Sequence, residues 1–294
     1  MKKLFAALLI GIFAQAAPAS AQDLNVVTSF TVLADMVRQV GGDHVHVRSL
    51  IGPNGDPHVY EPTPQDGNAL AKADLVFVSG LGLEGWMDRL IKASGYKGTV
   101  VVASKGVATL SMREEGKTIT DPHAWNSAAN GVIYARNIAF ALAKADPQRA
   151  TDYKIRGERY MQQLQALDSW AHKMVNAIPA YKRKVISSHD AFGYLGAGYG
   201  IEFRAPVGFS TESEASAADV ARLVDQIKRE NIRAVFLENS NDPRMIRQIA
   251  SETGAVLGGT LYAEALSAPG GPAPDYATMF RHNIELLVKG MRGN

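Results

Sequence analysis

Cysteine is absent from the 294-residue sequence. This absence excludes disulfide bonds, thiolate metal ligands and lipid attachment at a cysteine within this sequence. A metal held by this chain must therefore rely on imidazole, carboxylate or backbone oxygen ligands. Aromatic residues make up only 8% of the chain against 46% hydrophobic residues, so aliphatic side chains must supply most of any core.

A large net charge of either sign is also lacking. The chain has 31 basic and 29 acidic side chains, and the small excess comes from Lys2 and Lys3 near the N-terminus. Removing these two lysines leaves 29 basic against 29 acidic residues. Nucleic-acid binding depends on a basic surface, and we therefore expect no nucleic-acid partner.

Long hydrophobic runs are confined to the N-terminus. The basic pair Lys2-Lys3 precedes an apolar stretch over residues 4–17, and Ala19-Ser20-Ala21 has the small residues of a cleavage motif. We therefore expect a signal peptide over residues 1–21, cleaved after Ala21, and a soluble mature chain in a bacterial periplasm. No later segment approaches the roughly 18 uninterrupted apolar residues that a membrane-spanning helix needs.

Short β-branched or apolar runs alternate with longer amphipathic stretches along the rest of the chain. The runs are residues 24–27, 46–51, 75–79, 100–103, 185–188, 202–207, 234–238 and 255–259. Strands that alternate with helices indicate βαβ units and a mainly parallel sheet. Because half of the runs come early and half come late, we predict an α/β protein with two Rossmann-like parallel-sheet lobes, over residues 22–145 and 180–294.

The stretch between the lobes, residues 146–179, is predicted to be one long rigid linking helix. Asp146 suits a helix cap, Pro147 suits the first helical position, and Pro179 follows the last periodic residue. Apolar residues between them recur at three- and four-residue intervals, which defines one apolar stripe. The stripe consists of Tyr153, Tyr160, Leu164, Leu167, Ala171, Met174 and Ile178. The segment 105–120, by contrast, is predicted to be a solvated loop.

Three of the seven histidines lie in similar short motifs. Asp-Pro-His occurs at Asp56-Pro57-His58 and at Asp121-Pro122-His123, and Ser188-His189-Asp190 follows at a similar interval. Proline fixes its own backbone and favours extended backbone in the residue before it, so each Asp-Pro presents its histidine from a stiff loop. Because loops at the carboxyl ends of parallel strands converge, we expect the three imidazoles to form one metal site.

An acidic residue of the second lobe is needed to complete such a site. Glu264 follows the last predicted strand and is the preferred fourth ligand, and Glu238 and Asp242 are the alternatives. Three nitrogens with one carboxylate favour a borderline metal, and we predict tetrahedral Zn²⁺. The other histidines, which are His44, His46, His172 and His282, are predicted to be surface or packing residues.

Groups around the ligands can also be named from the sequence. A metal-bound imidazole usually donates its second ring N–H to a carboxylate or a carbonyl. The candidate carboxylates are Asp56, Asp121, Asp190, Glu212 and Glu214. Trp125, two residues after His123, is predicted to shield the metal from water.

Five stretches of the chain resemble, in order, the signatures of the periplasmic zinc- and manganese-binding proteins of ABC transporters, the group that includes the ZnuA and TroA types. These stretches are residues 55–58, 121–125, 188–194, 210–216 and 261–267. The resemblance implies metal ligands at His58, His123, His189 and Glu264, and two α/β lobes joined by one long helix. Family members usually have aspartate at the position of Glu264, and zinc members often have a histidine- and acid-rich loop that segment 105–120 lacks. Manganese members carry glutamate in place of the third histidine, so His189 favours zinc.

The resemblance implies a binding protein without catalytic residues, which captures Zn²⁺ as cargo in an interlobe cleft and delivers it to an ABC transporter permease for import. A manganese-binding protein of the same transporter class is the first alternative. The second is an exported zinc hydrolase, but that would need an open metal position and a general base, and the sequence has no His-Glu-x-x-His or Gly-x-Ser-x-Gly motif. We expect a monomer that is loaded directly or by a periplasmic metallochaperone.

Overall fold

The computed structural model describes residues 22–114, 116–208, 211 and 215–294. The predicted signal peptide and most of the 210–216 stretch, including Glu212 and Glu214, lie outside the described residues. Among the residues that are described, no helix combines the length and the apolar character that crossing a bilayer requires.

The first lobe is built on a four-stranded parallel sheet. Its strands are β1 (Leu24–Thr28), β2 (Val45–Ser49), β3 (Leu75–Val78) and β4 (Thr99–Val102), in the order β2-β1-β3-β4. The helices that connect successive strands are α1 (Thr31–Gly41), α2 (Pro64–Ala71) and α3 (Met87–Ser94). Every residue of β3 is apolar and buried, as expected for a central strand that is covered on both faces.

An antiparallel hairpin follows this sheet. Strand β5 (Ser111–Glu114) pairs with β6 (Lys117–Thr120), so the prediction of a solvated loop over 105–120 was wrong for much of its length. Polar and charged residues dominate both strands, and no alternating apolar pattern revealed them. The backbone N–H of Asp121, directly after β6, donates to the carbonyl of Leu110 (2.9 Å). The hairpin thereby fixes the start of the second Asp-Pro-His motif.

Two long helices follow the hairpin and pack against each other. They are α4 (Ala128–Ala145), which was not predicted, and α5 (Ala150–Asn176). Between them the Asp146 carboxylate accepts the backbone N–H of Arg149 (3.3 Å) and the hydroxyl of Tyr153 (3.1 Å). With 27 residues at 1.5 Å each, α5 is about 40 Å long. Its buried face includes Tyr153, Tyr160, Leu164, Leu167 and Ala171 of the predicted stripe.

The second lobe repeats the parallel architecture. Its strands are β7 (Lys184–Ile186), β8 (Glu202–Arg204), β9 (Ala234–Glu238) and β10 (Val256–Leu261), in the order β10-β9-β7-β8. Its helices are α6 (Gly193–Tyr199), α7 (Ala217–Glu230), α8 (Arg244–Thr253) and α9 (Tyr276–Arg292). All the predicted strands are present, and the predicted α/β fold with two parallel sheets is confirmed.

One large hydrophobic core extends through both lobes. It contains Phe77 of β3, Leu164 of α5 and Phe280 of α9, none of which is more than 1% exposed. A smaller core lies between the second sheet and helices α7 and α8, and it includes Ile186 and Leu223. Helix α9 therefore packs with the core of the first lobe, although it belongs to the second lobe in sequence.

Candidate metal centre

The loop after β2 presents His58. The carboxylate of Asp56 accepts the backbone N–H of His58 (2.8 Å), which closes a tight turn across Pro57. The indole N–H of Trp86 donates to the carbonyl of Pro57 (2.9 Å), so the turn is tied to the body of the first lobe. Only 2% of the His58 side chain is exposed.

The second Asp-Pro-His motif builds the same turn and adds one contact. Oδ1 of Asp121 accepts the backbone N–H of His123 (2.9 Å) and lies 2.9 Å from its ring Nδ1. The predicted role of Asp121 as a partner of a ring nitrogen thus agrees with the geometry, whereas Asp56 bonds to the backbone. Both Asp121 and His123 are buried. Because Nδ1 is occupied in this way, Nε2 of His123 is the atom that faces the lobe boundary.

His189 follows β7 and is held by a carboxylate at the end of β9, which lies beside β7 in the sheet. Oε1 of Glu238 accepts the backbone N–H groups of Ser188 (2.7 Å) and His189 (3.1 Å), and Oε2 lies 2.5 Å from Nδ1 of His189. Glu238, an alternative fourth ligand in the sequence, therefore contacts the far side of the His189 ring. Asp242, the other alternative, is exposed and pairs with Arg244 (2.7 Å).

Glu264 follows β10 and is fully buried. The carbonyl of the preceding residue, Ala263, accepts the indole N–H of Trp125 (2.7 Å) and the side-chain amide of Asn126 (3.2 Å). Both donors come from the loop that carries His123 in the first lobe. Trp125, which was predicted to shield the metal from water, is buried, and its ring centroid lies 5.5 Å from that of His123.

The four side chains converge on one small volume. A donor atom from each of His58, His123, His189 and Glu264 lies within 4.8 Å of the others. Nε2 of His58 is 3.2 Å from Nε2 of His123, and Oε1 of Glu264 is 3.4 Å from Nε2 of His123 and 3.3 Å from Nε2 of His189. Oε1 of Glu264 also contacts Nε2 of His58. Within the described part of the chain, Oε1 of Glu264 and Nε2 of His189 are buried atoms without a partner in hydrogen-bond geometry.

These groups shift one another's pKa values. Burial alone would lower the pKa of the His123 imidazole, but the carboxylates of Asp121 and Glu264 outweigh burial and raise it. Burial likewise opposes charge on His189, yet Glu238 and Glu264 hold the pKa of that imidazole well above its usual range. Burial would raise the pKa of Glu264, but the adjacent histidines hold it well below its usual range. Without a cation, these pKa shifts favour protonated imidazole beside an ionised carboxylate.

The remaining histidines lie elsewhere, as predicted. His44 and His46 face Asp152 (3.9 Å) and Asp23 (3.6 Å) near the surface. The side chain of His172 is 46% exposed, and Nε2 of His282 lies 2.9 Å from the carbonyl of Thr260. The described residues contain one grouping of three or more potential metal-binding side chains, and these four histidines are not part of it.

Three polar residues at the site were not assigned their observed positions from the sequence. Glu238 was considered only as a ligand, and its pairing with His189 joins positions far apart in the chain. Asn126 gave no signal beyond its position shortly after His123. The amide of Asn241 also lies 3.1 Å from Nδ1 of His189.

The fold and the site together define the substrate-binding component of a metal ABC transporter. The chain belongs to the family described as zinc-uptake complex component A, periplasmic (ZnuA), whose model matches residues 26–290. The resemblance seen in the sequence is thereby confirmed across almost all of the chain after the predicted signal peptide.

Individual relatives differ in the metal that they are named for. The manganese-binding lipoprotein MntA of Bacillus subtilis is 35% identical over 303 aligned positions, covering 98% of this chain and 99% of the relative. The iron-binding protein YfeA of Yersinia pestis is 32% identical, covering 92% and 87%. The structure of the periplasmic zinc-binding protein TroA from Treponema pallidum is 31% identical, with a TM-score of 0.86 and coverage of 92% and 99%. All three are named as metal-binding proteins.

Replacing Glu238 with alanine should lower the free energy of unfolding of the metal-free protein. The change leaves the backbone N–H groups of Ser188 and His189 buried without their acceptor, which costs about 1–3 kcal/mol for each group. Chemical denaturation of the two proteins measures the difference. Glu252→Ala, on the exposed face of α8, is the matched control and should change the free energy by less than about 0.5 kcal/mol. Equal unfolding midpoints for Glu238→Ala and wild type would contradict the assigned contacts.

Proposed function

We propose that this protein captures a divalent transition-metal ion on His58, His123, His189 and Glu264 and presents it to the membrane permease of an ABC transporter for import. The observation that carries the proposal is the convergence of four buried donor atoms, two of which have no partner in hydrogen-bond geometry among the described residues. Buried polar atoms normally have a partner in good geometry, and a cation between these donors would give both atoms one.

The donor spacing supports a small tetrahedral ion. Donor atoms bound at roughly 2.0–2.1 Å around a tetrahedral Zn²⁺ lie roughly 3.3–3.4 Å from one another. Three of the observed separations, between His58 and His123 and from Glu264 to His123 and His189, are 3.2, 3.4 and 3.3 Å, whereas Oε1 of Glu264 lies closer than this to Nε2 of His58. Three nitrogens and one carboxylate are also donors that suit zinc. We therefore propose Zn²⁺ as the cargo.

A carboxylate in the ligand set argues against a zinc hydrolase. Catalytic zinc sites keep an open position for water beside three protein ligands. Here a carboxylate oxygen of Glu264 lies beside the donor nitrogens of the three imidazoles, and the residue is fully buried. The side chains available for the metal would fill its four positions, which suits capture and release of cargo.

Manganese is the second candidate, and the relatives named for manganese favour it. Glu264 offers two oxygens, and Oε2 is contacted by the hydroxyl of Ser240 at 3.4 Å. A carboxylate that used both oxygens would raise the coordination number, as manganese prefers.

The location and the partners belong to the same proposal. We place the mature protein in the periplasm, as a monomer that reaches its permease by diffusion. The family match supports the transporter partnership. A metallochaperone that loads the site would be a further partner of the same protein.

Protein purified from its own cellular compartment should carry zinc at one ion per chain. Elemental analysis measures the bound metal, and competition between Zn²⁺ and Mn²⁺ at fixed pH measures the preference. Affinity alone does not identify the natural cargo, because nickel and copper bind such donors tightly whichever metal the protein carries in the cell. Manganese as the dominant bound metal would overturn the zinc assignment and leave the binding function standing.

Replacing His123 with alanine should weaken zinc binding by roughly 100-fold or more, since even loss of a residue that only supports a ligand typically costs 10–100-fold. Calorimetry with a competing chelator measures the affinity. His46→Ala is the matched control, because its side chain is 69% exposed and lies outside the pocket. Stoichiometric, tight zinc in the His123→Ala protein would defeat the proposed site.

Zinc affinity should rise with pH through the neutral range. Zinc binds neutral imidazole, so each protonated histidine must release a proton on binding. The pKa values of His123 and His189 are raised, so proton competition begins above the ordinary histidine pKa of about 6.5 and strengthens as the pH falls. The lowered pKa of Glu264 keeps that carboxylate ionised and outside this competition. Calorimetry in buffers of different ionisation enthalpy counts the released protons, and zero release at neutral pH would contradict the expectation.

A further inference from the structure

Asn126 connects the loops that carry three of the four donor side chains. It ends the single helical turn Ala124–Asn126, directly after His123, and is 1% exposed. Its side-chain Nδ2 donates to the carbonyl of Ala191 (3.0 Å) and to the carbonyl of Ala263 (3.2 Å). Ala191 is two residues after His189, and Ala263 immediately precedes Glu264. One amide of the first lobe therefore contacts both ligand loops of the second lobe.

The orientation of this amide is fixed by its two acceptors. Reversing it would place Oδ1 against two carbonyl oxygens, which cannot donate to it. In the observed orientation Oδ1 of Asn126 is buried and has no hydrogen-bond partner among the described residues. An unpaired buried acceptor is costly. Asparagine is therefore poorly explained as a packing residue and well explained by its two donated bonds.

The two ligands that these bonds reach lie at ion-pair distance from each other. Nε2 of His189 and Oε1 of Glu264 are 3.3 Å apart, and both are buried without a partner in hydrogen-bond geometry within the described chain. Glu238 holds the His189 ring and its backbone from the second lobe. The amide of Asn126 is placed to hold the loop of His189 at a set distance from the loop of Glu264.

We propose that Asn126 is a positioning residue that sets the spacing between His189 and Glu264 and thereby favours a small four-coordinate ion. This inference rests on the proposed metal-binding function. Four-coordinate zinc needs its donors at short, defined separations. A larger ion that takes more oxygen ligands depends less on that spacing. Loss of the two bonds should therefore weaken zinc binding more than manganese binding.

The test compares Asn126→Ala with wild type and with Asn130→Ala. Removing the Asn126 amide leaves the Ala263 carbonyl with its bond from Trp125 (2.7 Å), which limits damage to the fold. Asn130 is the matched control, since its amide donates to the carbonyl of Ala124 (3.1 Å), outside the loops of His189 and Glu264. Asn126→Asp is a second variant of the same shape that cannot donate to the two carbonyls. Circular dichroism and thermal unfolding establish which variants fold.

Two measurements on the full chain decide the outcome. The first is the affinity for zinc and for manganese, measured by competition. The second is the visible absorption spectrum of the Co²⁺-loaded protein, which reports coordination geometry. We expect Asn126→Ala to bind zinc roughly 10–100-fold more weakly, with a lower ratio of zinc to manganese affinity and an altered Co²⁺ spectrum, while Asn130→Ala matches wild type. A folded Asn126→Ala protein with wild-type affinities and spectrum, even if less stable, would overturn the positioning role. Wild-type protein that binds none of these metals would instead overturn the proposed function itself.

Discussion

The arrangement of the site depends on one constraint, which is the attachment of the Glu264 segment to the first lobe. The indole of Trp125 donates to the carbonyl of Ala263 (2.7 Å), and the hydroxyl of Thr31 accepts the backbone N–H of Leu266 (2.9 Å). These bonds flank Glu264 on both sides. The fourth donor thus comes from the second lobe in sequence but is anchored to the same body as His58 and His123.

The two Asp-Pro-His motifs present their histidines from the same kind of turn. The two Asp-Pro-His copies each use the aspartate to accept the N–H of the histidine two residues on, at 2.8 and 2.9 Å. Ligands held in stiff turns lose little conformational freedom when they bind. The carboxylates around the pocket raise the pKa values of His123 and His189, so without a metal the pocket favours protons on these imidazoles. A bound cation takes the place of those protons, because it binds neutral imidazole and faces the carboxylate directly.

Local sequence predicted the strands and the convergence of the three histidines, whereas it left Glu264, Glu238 and Asp242 open as the fourth side chain and the family resemblance pointed to Glu264. Apolar runs revealed the strands, and rigid Asp-Pro pairs marked His58 and His123. What could not be predicted depended on tertiary contacts. Glu238 reaches the ring of His189 only because β9 lies beside β7, and Asn126 bonds to Ala191 and Ala263 across the lobe boundary. The polar hairpin after β4 lacked the apolar alternation that reveals strands.

X-ray absorption spectroscopy at the zinc edge of the loaded protein tests the central claim most directly, because it reports the donor atoms around the ion. The proposed site predicts three imidazole nitrogens and one carboxylate oxygen at about 2.0–2.2 Å in four-coordinate geometry. A shell made mainly of oxygen atoms, or one with a single imidazole, would contradict the account, since it would place the ion away from the pocket formed by His58, His123, His189 and Glu264.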